Sequence, residues 1–187
     1  MERLSYSLRC ALIVDLLNKL HGHGSWCGET HIQKAMYISQ DIAKANLGYK
    51  FIMYKHGPFS FDLKDELAGM RANGIIEFAF PQQGYGPTIR VTKFGEKIYH
   101  TNRENIESYG HATEFVAKWL AASDVRSLER LATAYYVTKK NPRDPIIERA
   151  KRIHSLKPHV DIVDAEEAIK IVEQKREQAK REISAAM

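Results

Sequence analysis

Cysteine is scarce in this 187-residue chain, where Cys10 and Cys27 are the whole complement. Two thiols make no disulfide framework, which excludes the small bridge-held secreted scaffolds and fits a reducing compartment. Long apolar runs are missing too; none approaches the roughly 18–20 residues that a membrane span needs. The opening stretch MERLSYSLRC alternates charge with leucine and has neither the apolar block nor the cleavage site of a secretory leader. A cytoplasmic location is therefore expected. Blocks of like charge are absent as well. The net charge of +5 divides into +3 over residues 139–187 and +2 over the rest, so no basic tail or stripe marks a polyanionic partner. Glycine-rich phosphate loops, paired-carboxylate motifs, internal repeats and low-complexity linkers do not occur.

What is present is globular, with 44% hydrophobic and 27% charged residues. The length suits one ordinary domain, or a domain of about 100–150 residues with an extension. Leu4, Leu8, Leu12, Leu16 and Leu20, widened by Ile13 and Leu17, predict a first helix over Arg3–Leu20 whose broad apolar face is a core spine or a homodimer seam. HGHGS breaks it. Thr30 and Gln33 have the spacing of a capping box, which predicts a second helix from Thr30, ended by Asn46 and Gly48.

The stretch Phe51–Thr92 organises the rest. Phe51–Tyr54 is apolar enough for a buried strand, and His56-Gly57-Pro58 turns the chain. Ser60 as N-cap, Asp62 in the first turn and Asn73-Gly74 at the end predict a third helix. Alternation over residues 75–80 and 88–92 predicts a β-hairpin around the loop PQQGYGP. A helix followed by such a hairpin is the recognition half of a winged helix. Further helices are expected after Thr92, over residues 111–123, 127–140 and 145–156, and after an Asp164/Glu167 cap. The expected fold is mainly α with a small β-hairpin (α+β): a winged helix-turn-helix over residues 1–105, and a helical extension over 106–187 packed on it. The sparse apolar residues of the last helix leave it docking weakly or projecting, with dimerisation open.

Three segments, HIQKAMYISQ at 31–40, YKHGPFSFDL at 54–63 and LERLATAYY at 128–136, carry a family likeness. Over about residues 4–160 the chain resembles winged-helix proteins of the YwgA type and, more distantly, the Panacea (SocA-like) domains of antitoxins and proteolytic adaptors. The first resemblance implies a winged helix with no assigned chemistry. The second implies a small domain that binds a protein partner. Neither implies catalytic residues.

The third helix can be read on a wheel. Phe59, Leu63, Leu67 and Met70 fall in one arc, the core face. The opposite side holds Phe61, Asp65, Ala68, Gly69 and Ala72, with Lys64 and Arg71 on a flank. Groove-reading helices present Arg, Lys, Asn or Gln to bases and phosphates; this one offers an aromatic, an acid and small residues, which suit packing against protein. In the hairpin, Gln82, Gln83 and Tyr85 are candidates for a minor groove or base stacking, and Arg90 and Lys93 for phosphate contact. His21, His23, Cys27 and His31 are a weak zinc candidate, since their H-x-H-x₃-C-x₃-H spacing is no familiar zinc pattern. A nucleophilic pair of Cys27 with His31 or His56 lacks an orienting third residue. The sequence thus points to no catalytic residue, no cofactor and no bound metal. Its leading reading is a non-enzymatic regulator associated with double-stranded DNA. The alternative is a protein-protein interaction module that uses residues 60–73 and the wing.

Overall fold

The helix–helix–helix–hairpin order expected of the first half is present, and four further helical stretches surround it. The computed structural model describes residues 3–80 and 86–186, with side chains through residue 183. In chain order the elements are α1 Tyr6–Gly22, α2 Glu29–Ile42, β1 Ile52–Tyr54, β2 Gly57–Phe59, α3 Phe61–Ala72, β3 Ile76–Ala79 and β4 Thr88–Val91. They continue with α4 Lys93–Leu120, α5 Val125–Lys140, α6 Ile146–Leu156 and α7 Ile162–Ala186. The fold is mainly α, with two small antiparallel hairpins, β1–β2 and β3–β4. Among the described residues no helix is long and apolar enough to cross a membrane.

The leucine stripe of α1 is core. Leu12, Leu16, Leu17 and Leu20 are buried, with α4 lying along the helix. A polar clasp crosses that interface: Lys19 Nζ donates to Asp15 Oδ2 at 2.7 Å and to the Gly110 carbonyl at 2.9 Å, and Thr113 Oγ1 donates to the same Asp15 oxygen. The β3–β4 hairpin is tied to the segment just before α2. There Ile89 N donates to Cys27 O at 3.0 Å, and Thr88 Oγ1 donates to Trp26 O. The wing pairs Ile76 with Val91 and Phe78 with Ile89. Thr92 caps α4 through its hydroxyl. Gly95 is required there, because a Cβ would stand 2.3 Å from the Ile75 carbonyl oxygen.

Several expectations are corrected. Phe51–Tyr54 is not a lone buried strand; residues 52–54 pair with 57–59 as a second hairpin, and Ile52 and Tyr54 face outward. Thr30 and Gln33 form no capping box. The α2 N-cap is Gly28 without a side-chain bond, and Gln33 is wholly buried because it serves a different partner, Ser60. The helix ends at Ile42 rather than at Asn46. One unbroken helix, α4, covers Lys93–Leu120, where separate helices after Thr92 and over residues 111–123 were expected. At the start of α7 it is Asp161, not Asp164, whose carboxylate accepts from a backbone N–H, that of Asp164. Ala165, Ala168, Ile169, Val172 and Ala179 of α7 are buried, and α7 packs on α5, α6 and α4.

Candidate functional site

α3 is fixed at both ends and along one side. Ser60 Oγ accepts from Leu63 N at 3.3 Å, satisfying one of the free N–H groups of the first turn. Gln33 then locks Ser60 itself: its Nε2 donates to the Ser60 carbonyl and its Oε1 accepts from Ser60 N, each at 3.0 Å. A buried amide that matches a backbone donor and acceptor in this way leaves no polar atom stranded. Leu63, Leu67 and Met70 face the core as the wheel requires, but Phe59, assigned to the same arc, precedes the helix on β2 and is only half-buried. Glu66 is drawn to α1, where it forms a two-pronged pair with Arg9 at 3.0 Å. Gly74, at φ +68°, closes the helix in the left-handed region that glycine enters without cost.

The opposite face is open. Phe61, Lys64, Asp65, Ala68, Arg71 and Ala72 are all exposed, and among the described residues no C-terminal helix covers them. Lys64, Ala68 and Arg71 share a groove of about 400 Å³ with Leu67, Ala72, Phe78 of the wing and Glu29 at the start of α2. The Arg71 guanidinium stands 4.7 Å over the Phe78 ring, a cation–π contact that holds it along the groove wall. Arg90 is exposed on β4 opposite Glu77, and Lys93 is the exposed first residue of α4. Gln82, Gln83 and Tyr85 lie outside the described residues.

The sequence reading missed the aromatic platform beside this groove. Tyr54, Phe59 and Phe61 form a triangle with ring centroids 5.2–5.6 Å apart. Tyr54 is 45% and Phe61 48% exposed, and Ile52 adjoins them on the same hairpin. The signal was present as Ile52 and Tyr54 alternating on one side of the His56-Gly57-Pro58 turn, answered by Phe59 on the other. Reading the first run as a buried strand hid it.

The zinc candidates are dispersed onto separate partners. His21 Nε2 meets the Ile89 carbonyl at 2.7 Å, His23 Nε2 the Glu114 carboxylate at 2.9 Å, and His31 Nε2 the Leu120 carbonyl at 3.0 Å. Burial pushes the Cys27 thiol up to about 12, so it supplies no thiolate near neutral pH. Burial also lowers the pKa of His31, against the Leu120 carbonyl, which favours its charged form. Among the described residues no three His, Cys, Asp or Glu side chains are grouped to hold a metal ion.

Segments 31–40, 54–63 and 128–136 meet elsewhere, under the β1–β2 turn. Glu129 of α5 is 5% exposed, Lys157 4% and Lys34 of α2 2%. Lys157 Nζ lies 2.9 Å from Glu129 Oε1 and donates to the carbonyls of Tyr54 and Lys55. His56 Nδ1 lies 3.4 Å and His159 Nε2 3.7 Å from the same carboxylate. Burial alone would raise the Glu129 pKa, but the Lys157 ammonium and the two imidazoles outweigh it and hold it below the ordinary value. Burial also pushes Lys34 down to about 8, opposed by Glu129 and reinforced by Lys157. Gly57, at φ +85°, fits closely here, since a Cβ would come within 3.2 Å of Thr133 Oγ1. The cluster is a lock that seats the first hairpin on α5. No family model and no curated protein matches this chain.

Proposed function

We propose that this protein is a winged-helix interaction module whose α3 face and first hairpin dock a protein segment bearing an apolar anchor and carboxylates. The observation that carries the reading is the uncovered Tyr54/Phe59/Phe61 platform, continuous with the exposed face of α3. Aromatic residues set in an exposed apolar patch are the usual anchors of protein interfaces. Ala68 and Ala72 supply the close-approach floor that a partner backbone needs, and Lys64 and Arg71 favour acidic side chains at its edge. Asp65, exposed at the centre of the same face, disfavours a phosphate backbone.

A second reading, association with double-stranded DNA in a regulatory role, draws on the exposed cations Lys64, Arg71, Arg90 and Lys93 at α3, the wing and the start of α4. A photo-crosslinking phenylalanine analogue at position 61 of the full chain separates the two. The interaction reading expects a crosslink to one defined protein from the native cell, lost on Ala68→Arg and on the pair Lys64→Glu with Arg71→Glu, with the melting temperature unchanged. Titration with random duplex DNA forms the other arm. Binding that weakens with salt at a slope near −0.9 per phosphate contacted, and that disappears with Arg90→Glu and Lys93→Glu but survives Phe61→Asp, would overturn the interaction reading in favour of DNA.

A further inference from the structure

A second cavity lies away from the α3 face, where the C-terminal end of α2 meets α4, α5 and α7. It measures about 380 Å³ and is walled by Ile42, Ala43, Ala112, Ala179, Ile183 and the Tyr135 ring. That volume falls within the range of small-molecule sites, which are mostly apolar with a few convergent polar groups. Its charges are unbalanced. Asp41, the lining carboxylate, is already engaged, accepting from Tyr135 Oη at 2.8 Å and pairing with Lys139 at 2.5 Å. Lys180 pairs with Glu177 at 2.5 Å. Arg176 and Lys44 also line the cavity, and among the described residues neither side chain has a hydrogen bond or ion pair. The Arg176 guanidinium is held 5.3 Å over the Tyr135 ring, which orients its donors beside the apolar wall. Lys44 reaches the rim from a left-handed backbone conformation, φ +51°, uncommon for a residue with a Cβ and the kind of local strain that gathers at functional sites.

From this arrangement we infer that the cavity binds a small organic carboxylate with a compact apolar body. The body occupies the wall of Ile42, Ala112 and Ile183, and the carboxylate takes the planar fork of Arg176, with Lys44 at the mouth. Arg rather than Lys is the main contact because its two parallel donors match a carboxylate in geometry and its weaker hydration costs less to strip away. Neutral analogues keep the apolar contacts and lose the charge-assisted pair. Such an occupant bridges α2 to α7. Since α2 also carries Gln33, which seats the start of α3, the site is connected by one rigid helix to the interaction face. The inference does not depend on what that face binds.

The test uses the full chain and a panel of aromatic and short aliphatic carboxylates, each beside its amide, by calorimetry and thermal shift. At least one carboxylate is expected to saturate at millimolar concentration or below, with its amide about tenfold weaker or more. Arg176→Gln should cost a similar factor, whereas Lys151→Gln on the exposed side of α6 should change nothing. Ala43→Phe, at a partly exposed wall position, should block binding while the protein remains folded by circular dichroism. No saturable binding across the panel, equal affinity for amides, or affinity indifferent to Arg176→Gln would each overturn the assignment.

Discussion

At the Glu129 lock, charge is paired below the surface: the buried Glu129 carboxylate meets the buried Lys157 ammonium, with Lys34 buried on α2 and the exposed imidazoles of His56 and His159 at the edge. On the outer face of α3, just beyond that hairpin, charge and aromatic surface are left in water. Segment 54–63 serves both regions, His56 and Gly57 the first and Tyr54, Phe59 and Phe61 the second. What separates the two is steric and electrostatic demand. A buried carboxylate tolerates no substitute when two lysines depend on it, and a left-handed turn pressed on Thr133 admits only glycine. The platform beside α3 makes no such demand: it consists of three rings, of which Tyr54 and Phe61 are left exposed.

The contrast is broken most severely at Glu129. Glu129→Ala strands Lys157 and Lys34 as buried cations and should cost about 3–5 kcal/mol in urea unfolding at pH 7; a loss below about 1 kcal/mol would mean that water already reaches the cluster. Acid dismantles the same pair in the wild type. Because the folded pKa of Glu129 lies below its ordinary value, its contribution is fully present above the ordinary carboxyl range and is lost as pH falls through the folded pKa. Glu129→Gln should therefore flatten the acid limb of the stability curve. Gly57→Ala imposes a left-handed conformation on an L-residue and crowds Thr133, with an expected cost of about 1–2 kcal/mol or more, measured in the same way. Phe61→Asp lies at the other end. Stability should stay within about 0.5 kcal/mol while the crosslinked partner is lost, and a large destabilisation would place the platform inside the structural region instead.

The helices were legible because their apolar periodicity coincides with their burial: Leu63, Leu67 and Met70 in α3, and the leucines of α1. So was the α3 cap at Ser60, whose geometry depends on three adjacent residues. What escaped the sequence was every feature decided by long-range pairing. Gln33 fits a capping box as well as it fits a clasp on Ser60, 27 residues away. The first hairpin depends on a lysine about a hundred residues downstream, Lys157, which satisfies the carbonyls of its turn. The C-terminal cavity, shared among four helices, has no local signature. Of the α3 face, the exposed residues were readable, and the rings of Tyr54 and Phe59 that complete it were not, because they arrive on a hairpin hidden in an apolar run.

Cys27 gives this architecture a built-in reporter. Its carbonyl accepts the Ile89 N–H that ties the wing to the root of α2, and its thiol is sealed in the same place. An alkylating reagent reaches that buried sulfur only when the packing around it opens. Its reaction rate, followed at Cys27 apart from the equally buried Cys10, thus measures local opening at the root of α2, with no label attached to the surface.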